Sequence, residues 1–112
     1  MKSEIENKVL PEYFAAIKAA IEAGSEIMRI YEGGNFQIES KEDNSPITLA
    51  DKSANTIINE FLKPTGIPII SEENAETEFS ERKLWDSCWI VDPLDGTKEF
   101  INKNGEFTVN IA

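Results

Sequence analysis

The run VDPLDGT, residues 91–97, places two carboxylates in a setting that favours metal-dependent chemistry. An apolar strand over residues 85–91 is predicted to deliver Asp92 at its carboxyl end, where ligand sites of α/β sheets gather. Pro93 is expected to turn the chain, so that Asp95 points back to the same place. Two carboxylates held this close repel each other unless a cation lies between them. Oxygen ligands without histidine or thiolate suit a hard ion, magnesium first.

Gly96 and Thr97 follow the two aspartates and open a possible helical turn. Free backbone N–H groups at such a turn, together with the Thr97 hydroxyl, can hold a phosphate group. The alternative is a purely structural turn in which Asp95 or Thr97 caps a helix. The run alone does not decide between these two interpretations.

A second acidic pair, Glu72 and Glu73, follows a short apolar strand predicted over residues 67–70. If the two strands are neighbours, Glu72 comes near Asp92 and Asp95. Strand alternation would turn Glu73 to the opposite face, so Glu72 is the predicted metal ligand. The alternative is a solvated patch of charge.

The segment TLAD, residues 48–51, stands at the start of a helix predicted over residues 49–62. Thr-x-x-Asp ahead of an apolar helix is a capping-box pattern, and taken alone it favours that structural role for Asp51. A catalytic role requires Asp51 to lie near the metals, where its carboxylate could accept a proton from water.

The charge and the residue composition of the chain exclude several classes of function. The 112 residues carry a net charge of −10, which disfavours nucleic-acid binding and would repel a phosphorylated substrate unless cations intervene. The chain has no histidine, which excludes histidine-based triads and zinc–histidine sites within this stretch, and one cysteine cannot form an internal disulfide. The polar start predicts neither a signal peptide nor a membrane span, so a cytoplasmic location is expected, with peripheral inner-membrane association left open.

Helices and strands must alternate to position these groups. Helical periodicity covers residues 11–32, with an apolar stripe predicted at Phe14, Ile17, Ile21, Gly24, Ile27, Met28 and Tyr31. The other predicted elements are a hairpin of residues 36–41 with 46–48, a charged loop or irregular helix over 74–83, a helical turn at 97–102 and a last strand at 107–112. This order predicts an α+β fold with layered helices and sheet. A chain seldom ends inside an apolar strand, so residues 1–112 are expected to be the N-terminal portion of a single longer domain.

Three separate blocks of the sequence resemble the inositol monophosphatase superfamily in order and approximate spacing. They are KEDNSPITLAD at 41–51, ISEE at 70–73 and WIVDPLDGTKEF at 89–100. The runs GTKEF at 96–100 and NGEFTVNIA at 104–112 look like the 3'(2'),5'-bisphosphate nucleotidases of the bacterial CysQ type, whereas inositol monophosphatases more often carry TNF at the positions of KEF. The resemblance implies the layered α-β sandwich of the sugar-phosphatase type.

The resemblance also implies a set of metal ligands, for two or three Mg²⁺ ions. Glu72, Asp92 and the backbone carbonyl of Leu94 would hold one ion. Asp92 and Asp95 would hold another, and Glu72 would assist a third.

Further roles follow from the same resemblance. Asp51 and Thr97 would form the catalytic dyad that activates the attacking water, with Thr97 passing its proton toward Asp51. The residues implied to contact the substrate are Glu72, Leu94, Asp95, Gly96 and Thr97. Lys41 would lie near the site, although solvation at the surface is the alternative for it.

The implied function is magnesium-dependent hydrolysis of a phosphate monoester, with adenosine 3',5'-bisphosphate giving AMP and phosphate. One alternative is an inositol- or sugar-phosphate phosphatase. An alternative of another class is a non-catalytic acidic module that binds divalent cations or a protein partner. Family members are more than twice this length, and their downstream half completes the second metal site and much of the substrate pocket. The isolated chain is therefore expected to be weakly active or inactive.

Overall fold

The structure, a computed structural model, describes residues 11–112. Its α-helices are α1 (Pro11–Gly33), α2 (Leu49–Leu62), α3 (Phe79–Arg82) and α4 (Thr97–Ile101), and a 3₁₀ helix spans Lys63–Thr65. Its strands are β1 (Glu39–Ser40), β2 (Pro46–Ile47), β3 (Ile69–Ser71), β4 (Trp89–Asp95) and β5 (Thr108–Ile111). Across the described residues, every helix is too short or too polar to cross a lipid bilayer.

A three-stranded sheet in the order β3-β4-β5 supports the two long helices. Strand β4 is parallel to β3 and antiparallel to β5. Trp89 and Val91 are buried toward the helices, whereas Ile90 between them is 58% exposed, so the helical layer covers one face of the sheet. This layering of helices on a mixed sheet confirms the predicted α+β class.

The contact between α1 and α2 is built from small side chains. Four alanines are fully buried there, Ala19 and Ala23 of α1 with Ala50 and Ala54 of α2. Side chains this small let two helix backbones approach closely. The predicted stripe on α1 is therefore partly wrong, because Ile17, Ile21 and Met28 are exposed. The periodicity followed the large apolar residues, whereas the helix buries the face that carries its alanines and isoleucines 27 and 30.

The predicted hairpin is present but shorter. Strands β1 and β2 pair antiparallel, with Glu39 opposite Ile47, and the Lys41 N–H donates to the Ser45 carbonyl at 2.8 Å to close the turn. Residues 36–38 do not extend it as a half-buried strand. Gln37 has φ +47°, outside the extended region, and Ile38 is 55% exposed.

Strand β4 starts and ends later than predicted. Trp85 belongs to the turn after α3, where its N–H donates to the Arg82 carbonyl, so the strand begins only at Trp89. At its other end the strand continues through Pro93 to Asp95, and the predicted turn at Pro93 is wrong. Proline is tolerated within a strand where the ladder is interrupted, and the pairing of β4 with β5 is irregular between Asp92 and Asp95.

An aromatic cluster anchors α4 to the rest of the molecule. Phe100 is fully buried, and its ring centroid lies 4.6 Å from that of Phe36, 5.2 Å from that of Phe107 and 5.3 Å from that of Tyr31. Aromatic pairs at such separations stabilise beyond the area they bury. The helical turn predicted at 97–102 is thus confirmed, and packing at Phe100 fixes the position of Thr97 at its start.

Gly96 joins β4 to α4 in a conformation that only glycine adopts freely, with φ +97°. A Cβ atom there would lie 2.7 Å from the backbone oxygen of Glu106. Gly66 also has a positive φ, +73°, but open space around its missing Cβ. Substitutions at Gly96 and Gly66 can therefore be compared to separate the cost of backbone strain from the cost of a steric clash.

We expect Gly96→Ala to lower the free energy of unfolding by about 2–4 kcal/mol, because strain and a backbone clash act together. The matched change Gly66→Ala should cost about 1–2 kcal/mol through strain alone. Urea denaturation of both variants measures the difference. Equal losses would show that the close approach of residues 96 and 106 is not part of the folded state.

Candidate active site

Pairing of β3 with β4 brings the two acidic segments together. The strands run parallel with Ser71 opposite Val91, and the Glu72 N–H donates to the Val91 carbonyl at 3.2 Å. Glu72 therefore leaves the sheet beside Asp92, which is the next residue of β4. The predicted proximity of Glu72 and Asp92 follows from this register.

A bulge in β4 gives Asp92 and Asp95 a common side. Asp92 is opposite Asn110 and Asp95 is opposite Thr108, so three steps along β4 match two steps along β5. Residues three apart in a regular strand point to opposite faces, and one extra residue reverses that relation. The two aspartates share one side of the strand, as predicted, but a bulge produces this and not a turn at Pro93.

The predicted site residues line one open cavity of about 400 Å³. Its wall includes Lys41, Glu72, Glu73, Asp92, Leu94, Asp95, Gly96 and Thr97. A larger cavity of about 490 Å³ shares Glu72 and Asp92 with it but extends over Ile70 and Ile90 on the exposed face of the sheet. We assign the chemistry to the smaller cavity, because its wall concentrates the ionisable and hydroxyl groups.

The predicted orientation of Glu73 away from the site is wrong. Strand β3 ends at Ser71 and the chain turns, with the Asn74 N–H donating to the Ser71 carbonyl at 3.1 Å, so strand alternation no longer applies. Glu73 faces the same cavity as Glu72, and its Oε1 accepts a hydrogen bond from Lys41 Nζ at 2.7 Å. Both glutamates therefore belong to the site.

Lys41 brings a positive charge into this acidic cavity. Its side chain is 29% exposed, so solvation at the surface does not describe it. Burial lowers the pKa of Lys41, but the hydrogen bond and charge of Glu73, with the charges of Glu72 and Asp51, outweigh burial and raise it overall. The ammonium group remains protonated at neutral pH and acts as an internal counter-ion.

Asp92 lies where a negative charge is least favourable. Partial burial raises its pKa, and the neighbouring charges of Glu72, Asp95 and Glu73 raise it further, against a backbone hydrogen bond from Leu94. A cation placed between these groups would relieve the repulsion. The unfavourable negative charge at Asp92 would therefore favour the binding of a cation.

Asp51 has both a structural and a site contact. Its Oδ2 accepts hydrogen bonds from the Thr48 N–H at 2.7 Å and the Thr48 hydroxyl at 2.6 Å. The Asp51 N–H donates in turn to Thr48 Oγ1 at 3.4 Å, which completes the capping box. Its Oδ1 accepts a hydrogen bond from the Thr97 hydroxyl at 2.9 Å, so the predicted Asp51–Thr97 contact is present. The side chain is 2% exposed. The cap and the functional contact, weighed as alternatives for Asp51, use different oxygens of one carboxylate.

The Thr97 hydroxyl lies within reach of two acceptors. Its oxygen is 2.9 Å from Asp51 Oδ1 and 3.3 Å from the Leu94 carbonyl oxygen. A hydroxyl has a single proton to donate, and the shorter contact to a carboxylate is the stronger one. The Leu94 carbonyl thus keeps acceptor capacity toward the cavity.

The carboxylates share a cavity but are not gathered around a point. Within residues 11–112, no three acidic side chains are grouped closely enough to form a ready-made metal cluster. Asp95 is drawn toward β5 by Asn110 Nδ2, which donates to its Oδ2 at 3.1 Å, and Glu73 is drawn toward Lys41. The all-oxygen donor set fits a hard cation such as Mg²⁺.

Sequence reasoning missed Asn110, and it gave too little weight to Lys41 and Glu73. It gave Lys41 more weight as a surface residue, although the predicted hairpin placed it at a turn directly before the TLAD segment. It did not consider Asn110. Alternation along the last strand separates Asn110 from the core residues Val109 and Ile111, and that signal could have identified it as facing the acidic groups.

In the metal-free protein, Asp92→Asn should unfold at the same or a higher temperature than the wild type at pH 7, because a repelled charge is removed. The folded-state pKa of Asp92 is raised above 3.8, so the stability it contributes is present at acid pH and is lost as pH rises through that raised pKa. The wild type should therefore lose stability relative to Asp92→Asn between about pH 4 and pH 7.

Thermal melts in chelator across this pH range measure the difference. The matched control is Asp86→Asn, which removes the same charge from an exposed residue outside the cavity. A wild type that gains stability relative to Asp92→Asn as pH rises would contradict the assignment.

Comparisons with known proteins identify the family to which the chain is similar. The family model described as "Inositol monophosphatase family" matches residues 9–112. The chain is 50% identical over 93 residues to 3'(2'),5'-bisphosphate nucleotidase CysQ of Escherichia coli O157:H7, covering 80% of this chain and 37% of the relative. The chain thus spans little more than a third of the length of that relative.

Solved structures show the same fold. The crystal structure of CysQ from Bacteroides thetaiotaomicron, a bacterial member of the inositol monophosphatase family, superposes with a TM-score of 0.74 at 51% identity, over 88% of this chain and 36% of that one. The extragenic suppressor protein SuhB of Bartonella henselae superposes with a TM-score of 0.75 at 31% identity, over 89% and 39% of the two chains. The family model spans nearly the whole chain, and this chain belongs to the inositol monophosphatase family.

Proposed function

We propose that this chain is the N-terminal portion of a magnesium-dependent phosphomonoesterase that acts as a 3'(2'),5'-bisphosphate nucleotidase in the cytoplasm. The observation that carries the proposal is the hydrogen bond from Thr97 Oγ1 to Asp51 Oδ1 at 2.9 Å. It joins a buried carboxylate to a hydroxyl in the wall of the acidic cavity. A non-catalytic cation-binding module would not need this pair.

Mg²⁺ is the cofactor of the proposal. Glu72, Asp92, Asp95 and the Leu94 carbonyl would hold two or three ions, as the family resemblance implies, and all four residues line the cavity. Bound Mg²⁺ would lower the pKa of the attacking water and neutralise charge on the phosphate. The raised pKa of Asp92 supports this assignment, because the neighbouring negative charges of Glu72 and Asp95 that raise it would also attract a cation.

Asp51 and Thr97 handle the proton in the proposed mechanism. Thr48 holds Oδ2 of Asp51 through two hydrogen bonds, so the carboxylate cannot rotate and Oδ1 stays directed at Thr97. Water gives a proton to the Thr97 oxygen as the hydroxyl proton passes to Asp51 Oδ1. The water oxygen bonds to phosphorus, the ester P–O bond breaks, the leaving oxygen takes up a proton from solvent water, and Asp51 returns its proton to the solvent. No covalent phospho-enzyme is needed.

Substrate phosphate must enter a cavity rich in carboxylates. Lys41 and Lys98 in the cavity wall offer positive charge to it, and Gly96 and Thr97 lie where a phosphate oxygen would contact the chain. The proposed substrate, adenosine 3',5'-bisphosphate, rests on the 50% identity to a protein named for bisphosphate nucleotidase activity. Inositol and sugar phosphates are the alternative substrates of the same chemistry.

Substituting the two proposed roles separately should give different kinetic results. In the enzyme that carries this chain, Asp51→Asn should lower kcat by about 10²–10⁴-fold because it removes the proton acceptor, and should leave the Mg²⁺ concentration for half-maximal activity unchanged. Asp92→Asn should instead weaken Mg²⁺ binding and abolish hydrolysis at ordinary magnesium. Steady-state hydrolysis and calorimetric Mg²⁺ titration measure both effects. Equal losses of Mg²⁺ affinity would make Asp51 a ligand, and near-normal turnover of Asp92→Asn would refute the metal assignment.

A substrate panel tests the specificity. Adenosine 3',5'-bisphosphate should give a higher kcat/KM than inositol 1-phosphate or fructose 1,6-bisphosphate, and only when Mg²⁺ is present. Lithium should inhibit by taking a magnesium position, as the family resemblance implies. A preference for inositol phosphate would support the proposed hydrolytic reaction but would show that the proposed substrate is wrong. Turnover that survives a chelator would exclude the magnesium mechanism.

A further inference from the structure

Three asparagines and a serine form a closed hydrogen-bond network beside the acidic cavity. Asn55 and Asn59 lie one turn apart on α2, Asn74 lies in the loop after β3, and Ser71 ends β3. The Ser71 hydroxyl donates to Asn55 Oδ1 at 2.6 Å, and Asn55 Nδ2 donates to Asn74 Oδ1 at 2.9 Å. Asn74 Nδ2 donates to Asn59 Oδ1 at 3.0 Å, and Asn59 Nδ2 donates to Asn55 Oδ1 at 3.0 Å, which closes the ring. Each side chain in the network both donates and accepts.

The network encloses the turn that carries Glu72 and Glu73. Ser71 stands directly before these glutamates and Asn74 directly after them, and both are bonded to α2. Within the turn, the Glu73 N–H donates to Ser71 Oγ at 3.4 Å and the Asn74 N–H donates to the Ser71 carbonyl at 3.1 Å. The two turn residues, Glu72 and Glu73, are thus held at both ends by one helix.

The same helix holds the proposed proton acceptor. Asp51, Asn55 and Asn59 are spaced four apart on α2, and residues at this spacing lie on one face of a helix. Asparagine is a poor residue for a helix interior, where its amide competes with the backbone. Both asparagines instead direct their amides to residues 71–74, so these contacts offset part of their cost in the helix.

We propose that Asn55 and Asn74 are positioning residues that hold Glu72 and Glu73 in the cavity and thereby set the affinity of the site for Mg²⁺. They act through the turn of residues 71–74 and touch neither substrate nor metal. The inference rests on the proposed function in taking Glu72 as a ligand. Hydrogen-bonding partners behind metal ligands commonly contribute about 10–100-fold in metal affinity or activity.

The test compares Asn55→Ala and Asn74→Ala in the enzyme that carries this chain. Alanine favours the helix at position 55, so the first variant should fold, and the second changes a loop outside any regular element. Both should raise the calorimetric dissociation constant for Mg²⁺ by about tenfold or more, whereas kcat at saturating Mg²⁺ should stay within about twofold of the wild type. The rise in melting temperature that Mg²⁺ induces should be smaller in both variants than in the wild type.

Two controls separate positioning from general loosening of α2. Thr56→Ala removes one side-chain bond, from Thr56 Oγ1 to the Lys52 carbonyl, on the exposed side of the same helix. Ile58→Val removes a methyl group from a fully buried position of the same helix. Neither residue contacts the turn through a hydrogen bond, so both variants should bind Mg²⁺ as the wild type does.

The outcomes distinguish this inference from the proposed function. A wild type that hydrolyses with Mg²⁺, together with asparagine variants of unchanged Mg²⁺ affinity, would overturn the positioning role and leave the function intact. Equal weakening in Ile58→Val would also overturn it, because the effect would then reflect stability. A wild type that binds Mg²⁺ but does not hydrolyse phosphate esters would refute the proposed function. The Mg²⁺ dissociation constants of the variants would then still test the role of the asparagines. A wild type that binds no Mg²⁺ would overturn both.

Discussion

Mutual repulsion among carboxylates at the ends of β3 and β4 is the constraint on which the rest of the structure depends. Glu72, Glu73, Asp92 and Asp95 face one cavity, and the pKa of Asp92 is raised by burial and by its neighbours. Folding must hold these charges together against that repulsion. Lys41 relieves part of it as an internal counter-ion. The repulsion that Lys41 does not relieve would favour the binding of a divalent cation at the proposed site.

Helix α2 provides the rigid support that such a site requires. Its amino end is closed by the capping box of Thr48 and Asp51, and its alanines pack closely on α1. From this fixed position Asp51 reaches Thr97, while Asn55 reaches the turn that carries the glutamates. Groups that must keep a defined geometry are more accurately held by regular elements than by loops. The capping of one helix and the geometry of the candidate site are thus a single arrangement.

Local patterns in the sequence predicted the features that local physics decides. The bounds of α2 and the helical turn at Thr97 follow from capping and periodicity, and the structure confirms both. Acidic residues follow two apolar strands, which predicted that Glu72 and Asp92 lie close together if the strands are neighbours, and β3 does pair with β4. The contact between Asp51 and Thr97 came from the family resemblance, since the two residues are distant in sequence and no periodicity links them.

Features decided by tertiary pairing were not predictable in this way. The buried face of α1 depends on the alanines of α2 that pack against it, so counting large apolar residues selected partly wrong positions. The extension of β4 through Pro93 depends on a bulge against β5. The inward position of Glu73 depends on a turn that ends strand alternation, and on Lys41 from a distant hairpin.

The central claim is that Glu72, Asp92 and the Leu94 carbonyl bind a divalent cation beside the Asp51–Thr97 pair. The most direct test is a crystal structure of the proposed enzyme, grown with Mn²⁺ in place of Mg²⁺ and measured for anomalous scattering. The account predicts an anomalous peak within about 2.0–2.4 Å of carboxylate oxygens of Glu72 and Asp92 and of the Leu94 carbonyl oxygen. A fully occupied Mn²⁺ site elsewhere, with this cavity empty, would contradict it.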